Sequence, residues 1–128
     1  ACYIDLDNLK LVNDSYGHKE GDRVIITLVN LVTGVLRESD VICRLGGDEL
    51  LLILHETTLD GSGTVLRRIH SAVETRNARS KKPYKIEFSY GLAEYSPGCK
   101  HTAEELVDMA DRDMYRMKLV RKTISLSR

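Results

Sequence analysis

Hydrophobic and polar residues follow strand-like and then helix-like spacing in the first half of this chain. The opening run ACYID predicts a strand. A helix that begins at Asp22 and ends near Arg37 is predicted by apolar residues at helical spacing, namely Ile25, Leu28, Val29, Val32, Val35 and Leu36. Two apolar runs, DVICRL and ELLLIL, surround GGD and predict a hairpin with its tip at 46–48, because glycine supplies the positive φ of tight turns.

The second half predicts two more helices and one or two strands. A helix from about Gly63 to Asn77 places Leu66, Ile69 and Val73 inward, and ARSKKP, residues 78–83, predicts an exposed loop. KIEFSYGLAEY alternates as a strand through Ile86, Phe88, Tyr90 and Leu92. Thr102 and Glu105 form a capping box, and the helix that follows has an apolar side made of Leu106, Met109, Ala110, Met114 and Met117.

The order of these elements predicts the fold class. TISLS, near the end, is a candidate for a last short strand. The order β-α-β-β-α-β is that of a ferredoxin-like split βαβ unit. We therefore expect an α+β domain with an antiparallel central sheet flanked by helices.

Length and composition limit the classes of protein that the chain can represent. With 128 residues, 42% of them hydrophobic, the chain can build one core, so residues 1–128 are predicted to form a single domain. A net charge of zero gives no electrostatic case for nucleic acid or an anionic membrane surface.

The location is predicted from three features of the sequence. No apolar run approaches the roughly 18 residues of a membrane span, and the start lacks a signal-peptide pattern. Free thiols in a reducing cytoplasm are predicted for the three cysteines, Cys2, Cys43 and Cys99. We expect a cytoplasmic domain, and a membrane-anchored parent protein stays open because the chain begins inside a strand.

Acidic residues near the start and basic residues at the end suggest a candidate metal site. Asp5 lies near the end of the first strand and Asp48 at the hairpin tip, and these elements are neighbours at the sheet centre of this fold. Two converging carboxylates suit Mg²⁺, which completes its shell with water and phosphate. The alternatives are that Asp48 is acidic because turns favour Asp, and that the basic tail stabilises a last helical turn.

Two longer motifs carry a family resemblance. DLDNLKLVNDSYGHKEGD, residues 5–22, and RLGGDEL, residues 44–50, resemble the GGDEF-domain family of diguanylate cyclases, and FSYGLA and ADRDMYRMK extend the match over nearly the whole chain. The resemblance implies a palm-type fold like that of class III nucleotide cyclases. It also implies condensation of two GTP molecules into cyclic di-GMP with release of pyrophosphate. The family's opening helix is absent before Ala1.

The resemblance assigns roles around the hairpin. Asp5, Asp48 and the backbone carbonyl of Leu6 match the ligands of Mg²⁺, with Mn²⁺ as a further candidate. Asp48 also matches the group that assists loss of the ribose 3′-hydroxyl proton, and Glu49 supports the metal site or the turn. At the two glycines of the motif, Gly46 and Gly47, a side chain would collide with nucleotide lying over the turn.

The remaining motif positions match contacts to GTP. Asn13 and Asp22 match the readers of guanine, whose N1–H and 2-amino groups a carboxylate accepts. The alternative for each is a helix cap. Triphosphate contacts are implied for the backbone amides of Asn8 and Leu9 and for the side chains of Lys10, Lys118 and Lys122. At the last of these the family commonly has arginine, and because lysine lacks the bidentate fork that contact stays open.

A second motif implies regulation. RESD, from Arg37 to Asp40, stands five residues before GGDEL, which is the spacing of the family's R-x-x-D product-inhibition site. Arg68, on the second predicted helix, matches an additional arginine of that site. Arginine pairs with phosphate or guanine and the carboxylate accepts from guanine. Without this register, R-x-x-D is usually a solvated helix end.

Two functions follow. The first is a dimeric, Mg²⁺-dependent cyclase domain that uses GTP, is inhibited by cyclic di-GMP and is controlled by an upstream sensor domain. The alternative is a non-catalytic module that binds GTP or cyclic di-GMP and controls an attached domain. The motif acids favour the first function, whereas KLVRKT and the Leu50 variant favour the second. No nucleic-acid partner is expected for either.

Overall fold

Four strands and four helices make up the part of the chain that the computed structural model describes. It describes residues 1–7, 9–55, 57–94 and 100–126, with side chains to residue 120 in the last helix. The elements are β1 (Cys2–Leu6), α1 (Leu9–Tyr16), α2 (His18–Val35), β2 (Val41–Arg44), β3 (Glu49–Ile53), α3 (Leu59–Arg79), β4 (Phe88–Leu92) and α4 (Ala103–Leu126). All neighbouring strands are antiparallel, in the order β2-β3-β1-β4. The predicted α+β, ferredoxin-like arrangement is therefore confirmed.

Each face of the sheet has its own apolar cluster because side chains alternate along a strand. Cys2, Ile4 and Leu6 of β1 pack into the main core with residues of α1, α2 and α3. Tyr3, between them, faces the other way and packs with Leu106 and other residues of α4. The sheet thus lies between α4 on one side and the other three helices on the other.

The helix predicted from Asp22 begins earlier than expected. Gly17, with φ at +92°, separates α1 from α2, and α2 begins at His18. Left-handed backbone at that position favours glycine, so the chain can turn there without strain. The sequence did not predict α1, because only Leu9 and Val12 of this helix are buried and two positions make a weak periodic signal.

The second predicted helix is longer at both ends. Thr58 caps the start of α3 by accepting a hydrogen bond from Gly61 N at 3.1 Å, which satisfies a free backbone donor. At the other end Ser80 N donates to Arg76 O at 2.9 Å. Residues 78 and 79, predicted to lie in a loop, therefore belong to the helix.

The last helix carries one confirmed prediction and two that are wrong. Thr102 and Glu105 form the predicted capping box, with N–O distances of 3.2 Å in both directions. Met109 was expected on the apolar side of the helix but is 37% exposed. Residues 123–126 of TISLS are helical and not a strand, because α4 runs through residue 126, and the fifth residue of that stretch lies outside the described residues. Each added helical residue gains a backbone hydrogen bond, and this outweighs the strand propensity of two β-branched residues. None of the described helices has the combined length and hydropathy of a membrane span.

Candidate active site

The end of β1 and the tip of the β2–β3 hairpin form an acidic corner, defined by Asp5 and Asp48. Asp5 pairs in register with Glu49 of β3, and Leu6 N donates to Asp48 O at 2.9 Å. The Asp48 carboxylate is close enough to Asp5 to raise the pKa of the Asp5 carboxyl. The structure thus brings together the two acids that the sequence proposed as metal ligands.

Only one of the two oxygens of the Asp5 carboxylate has a hydrogen-bond partner among the described residues. Burial is the largest cause of its raised pKa, and repulsion from Asp48 adds to it, although Lys118 opposes both. Asp5 Oδ2 accepts from Lys118 Nζ, whereas Asp5 Oδ1 is buried without a hydrogen-bond partner among the described residues. A buried anionic oxygen without a partner is costly, so this atom favours a cation at the acidic corner.

The donor set suits a metal that keeps part of its own shell. In the described ranges no group of three or more acidic, histidine or cysteine side chains is placed to hold a metal ion. Mg²⁺ does not need such a group, because one or two carboxylates with water and phosphate oxygens satisfy it. Asp5 Oδ1 and the Asp48 carboxylate therefore fit Mg²⁺ better than a metal that takes a full protein cage.

Lys118 reaches the acidic corner because α4 packs directly on β4. At Gly91 a Cβ atom would lie 1.9 Å from Ala110 O and 2.2 Å from Met114 N. Burial alone would lower the pKa of Lys118, but its hydrogen bond and ion pair with Asp5 dominate and raise it. The sequence assigned Lys118 to the triphosphate, and in this structure its side chain pairs with a predicted metal ligand.

The hairpin tip is held by Arg44, for which no role was predicted from the sequence. Arg44 donates to Gly46 O at 3.0 Å and to Gly47 O at 2.9 Å, so its guanidinium closes the turn. The expectation that the turn glycines supply positive φ is wrong, since Gly17 is the only described glycine in that region of backbone space. A fork of donors takes the place of left-handed backbone here. The sequence feature that could have indicated this role is the position of Arg44 at the start of RLGGDEL.

The space over the tip differs between the two glycines. A Cβ atom at Gly47 would meet nothing within 4 Å, whereas one at Gly46 would lie 3.3 Å from Glu49 Oε2. The Glu49 carboxylate also faces the Tyr3 hydroxyl, and this contact, together with burial as the larger cause, raises the pKa of Tyr3. The Glu49 carboxylate thus lies between the hairpin tip and the Tyr3 hydroxyl, and open space lies above Gly47.

The predicted guanine readers lie where α1 and α2 meet. Asn13 rests against Gly21, where a Cβ atom would be 1.7 Å from Asn13 Oδ1. Asp22 is the next residue of α2 after Gly21, and it is exposed. The cap alternatives are wrong, because Asn13 lies inside α1 and the N-cap of α2 is Gly17.

The predicted phosphate contacts are described in part. Leu9 is buried at the start of α1, and Lys10 is exposed one residue later. Asn8 and the side chain of Lys122 lie outside the described residues. Lys10 and Lys118 are thus the phosphate-binding candidates whose side chains the structure places.

Gly21→Ala is expected to weaken GTP binding about tenfold or more. The added methyl would displace the Asn13 amide, and a lost hydrogen bond to a buried base edge costs about 1–3 kcal/mol. Gly34→Ala, on the same helix with nothing within 4 Å of its Cβ position, is the matched control. Calorimetric titration of GTP should separate the two variants, and equal affinities would show that Asn13 does not read the base.

The R-x-x-D residues form a structured loop at the other end of α2. Asp40 accepts hydrogen bonds from Arg37 N and His55 N, both at 2.9 Å, and its side chain is 3% exposed. Burial would raise its pKa, but these two N–H groups and the guanidinium of Arg37 hold it below the usual value. Arg37 Nη2 donates to Thr57 Oγ1 at 2.8 Å, and the side chain is 61% exposed.

Arg68, the third predicted member of this site, does not take part in the hydrogen bonds that join Arg37 and Asp40. Its side chain is exposed on α3 and forms no ion pair with another described residue. The structure joins Arg37 to Asp40 and leaves Arg68 outside their contacts.

Comparison with protein families and curated proteins gives a consistent result. The family model described as "Diguanylate cyclase, GGDEF domain" matches residues 1–123. A probable diguanylate cyclase of Escherichia coli, DgcC, is 35% identical over 115 residues, which are 90% of this chain and 31% of that protein. The bifunctional cyclase and phosphodiesterase MucR of Pseudomonas aeruginosa is 34% identical over 92% of this chain and 17% of its own length. The chain therefore spans about a third or less of these relatives.

Solved structures agree with the sequence relatives. The diguanylate cyclase SiaD of Pseudomonas aeruginosa, solved with its activator SiaC, matches with a TM-score of 0.82 and 34% identity over 93% of this chain and 45% of that one. The GGDEF domain of DgcB from Caulobacter crescentus, solved with cyclic di-GMP, matches with a TM-score of 0.80 and 27% identity over 91% of this chain and 70% of that one. With a family model that matches residues 1–123, this chain belongs to the GGDEF-domain family of diguanylate cyclases.

Proposed function

We propose that this domain, with Mg²⁺, condenses two GTP molecules into one cyclic di-GMP and two pyrophosphate molecules. The observation that carries the proposal is Asp5 Oδ1, a buried anionic oxygen without a described hydrogen-bond partner, beside Asp48 at the hairpin tip. This arrangement costs stability in the free protein, and a bound cation would offset that cost. It therefore indicates a metal-binding corner.

Asp5 and Asp48, with the Leu6 carbonyl, would hold the metal. When bound, Mg²⁺ neutralises charge on phosphate oxygens and favours attack by an ionised hydroxyl. Asp48, half-buried at the hairpin tip, would accept the proton of the ribose 3′-hydroxyl, whose oxygen attacks the α-phosphate of the other GTP and displaces pyrophosphate. Lys118 places a positive charge at the same corner, where it balances the charge of the triphosphate once the nucleotide enters.

Two surfaces beside the acidic corner, the hairpin tip and the junction of α1 and α2, orient the nucleotide. The open space above Gly47 admits the ribose and phosphates, and the fork of Arg44 keeps the tip fixed while they bind. Asn13 and Asp22 read the guanine edge at the junction of α1 and α2. A fixed tip and a fixed base would hold the 3′-hydroxyl in place, and such positioning is a large part of phosphoryl-transfer catalysis.

Turnover is expected to require two copies of the domain. One acidic corner holds one GTP, so two domains must face each other to join two nucleotides. The chain fused to a dimeric coiled coil and incubated with GTP and Mg²⁺ should yield cyclic di-GMP by mass spectrometry. The monomeric chain at the same concentration should yield far less. Bound GTP without any product in the dimeric fusion would contradict the proposed activity.

That last outcome would instead support the alternative, a module that binds nucleotide and controls an attached domain. The observation that favours it is KLVRKT, where Lys122 replaces the family's arginine. A lysine contacts phosphate as a point charge and lacks the bidentate geometry of arginine. The same assay separates the two functions, because both predict GTP binding and one predicts product.

We also propose that the exposed guanidinium of Arg37 binds cyclic di-GMP and inhibits the enzyme, with Asp40 and Arg68 as further members of the site. Asp40 is engaged by two backbone N–H groups, so it is suited to hold Arg37 in position. The register of RESD against GGDEL and the relative solved with cyclic di-GMP support this site.

Arg37→Ala is expected to lower the affinity for cyclic di-GMP by about tenfold to a hundredfold, since a charge-assisted pair contributes roughly 1.5–3 kcal/mol. GTP affinity should change far less, because the loop lies at the opposite end of α2 from the guanine readers. Arg67→Ala, next to Arg68 on α3, is the control. Calorimetric titration of both ligands measures the two affinities. An unchanged affinity for cyclic di-GMP would show that RESD is a solvated helix end and not a binding site.

A further inference from the structure

A basic cavity lies at the carboxyl end of α3, outside the acidic corner and the R-x-x-D loop. It has a volume of about 520 Å³ and is lined by Ser80 and by four cations, Arg76, Arg79, Lys81 and Lys82. No carboxylate lines it. The cavity is shallow and open to solvent, and its basic lining contrasts with the net charge of zero of the whole chain.

The positive charge exceeds what the helix needs. Arg76 and Arg79 lie in the last turn of α3, where cations offset the partial negative charge of the helix end, which is about half a unit. Lys82 is paired, at 2.8 Å, with Glu20 of α2. Within the described part of the chain, the side chains of Arg76, Arg79 and Lys81 form no ion pair. Two or more charges therefore remain uncompensated.

The donors around the cavity match phosphate chemistry. Arginine presents a planar fork that binds two oxygens of one phosphate, and Lys81 adds a point charge. Ser80 Oγ accepts from Lys82 N at 3.1 Å, which leaves its own hydroxyl hydrogen available to a ligand. Several donors on a concave surface suit an anion that carries more than one phosphate group.

A second cavity extends the site toward α2. It measures about 240 Å³ and shares Arg76, Ser80 and Lys82 with the first. Its remaining lining includes Arg23, Tyr84 and one carboxylate, that of Glu20, which is already paired with Lys82 and Arg23. The Tyr84 ring lies 5.3 Å from that of Tyr16, so an aromatic surface borders the basic one. From this combination we propose that the basic cavity is an oligophosphate-binding site, distinct from the metal corner, that takes pyrophosphate, tripolyphosphate or the phosphate chain of a nucleotide.

The test uses inorganic tripolyphosphate as the probe, with EDTA present so that no metal bridges it to the acidic corner. Amide NMR shifts are expected at residues 76–82, and calorimetry gives the affinity. The triple variant Arg76→Gln, Arg79→Gln, Lys81→Gln should bind at least about tenfold more weakly, because each lost charge removes a direct attraction. A control with the same loss of charge is Arg67→Gln, Lys100→Gln, Arg112→Gln, which should change affinity less than about twofold.

The source of the phosphate chain is separated by two further titrants. If the amide shifts at residues 76–82 saturate at a lower concentration of GTP than of tripolyphosphate, and guanosine shifts the same residues weakly, the site is assigned to a nucleotide. Equal affinity for GTP and tripolyphosphate, with no binding of guanosine, would assign it to free oligophosphate. Equal affinity of wild type and triple variant for tripolyphosphate, or shifts confined to residues around Lys10 and Lys118, would overturn the proposal. These readouts do not depend on cyclase activity.

Discussion

Asp48→Asn is expected to abolish product formation while the fold stays intact. The amide keeps the shape of the side chain but loses the negative charge that helps to hold Mg²⁺ and the capacity to accept a proton. General-base assistance alone contributes about a hundredfold to ten-thousandfold, so the loss of both roles should leave turnover near background. Product formation with GTP and Mg²⁺, followed by chromatography, measures it.

The fold of this variant should be no less stable than the wild type. Asp48 raises the pKa of Asp5, so the amide removes a repulsion between the two carboxylates. Thermal unfolding should therefore give an equal or slightly higher Tm. Asp14→Asn, exposed on α1, is the matched control and should retain activity. Wild-type turnover by Asp48→Asn would refute the assignment of the acidic corner as the active site.

Gly91→Ala is expected to destabilise the domain by about 3 kcal/mol, at the upper end of the usual cost of overpacking. Its new methyl would meet backbone atoms of Ala110 and Met114 in α4, and backbone cannot rotate away as a side chain can. The helix must shift, and Lys118 moves with it. Both stability and turnover should therefore fall.

Urea denaturation measures the first effect, and turnover of the protein that stays folded measures the second. Gly63→Ala is the control, because its Cβ position lies at an ordinary 3.6 Å from Arg67 Nη1. A helical glycine in open space should gain roughly 0.5–1 kcal/mol from alanine. If Gly91→Ala unfolded at the wild-type urea concentration, the close contact between β4 and α4 would be wrong.

Elements with strong periodic signals were predictable from the sequence, and their ends were less so. The hairpin and the central strand follow from short apolar runs, and the capping box predicts the start of α4 within a residue. In contrast, α1 buries two side chains and gives little periodicity. The start of α2 depends on the left-handed conformation at Gly17, which no apolar pattern records.

Site contacts that follow from the order of strands in the sheet were predictable from the sequence. Contacts that depend on how a distant helix packs were not. Asp5 and Asp48 meet because β1 and β3 are neighbours in the sheet. The pairing of Lys118 with Asp5 joins residues 113 positions apart and depends on the close packing of α4 at Gly91. That residues 1–128 form a single domain stays a prediction.

The central claim is that the acidic corner holds the metal of a bound nucleotide, and Mn²⁺ binding tests it most directly. Electron paramagnetic resonance counts free Mn²⁺ as it is titrated into the chain with a GTP analogue that cannot react. Wild type should bind Mn²⁺ with the nucleotide, and the double variant Asp5→Asn, Asp48→Asn should bind it at least about tenfold more weakly, since both charged ligands are lost. Equal Mn²⁺ affinity in the two proteins would contradict the account.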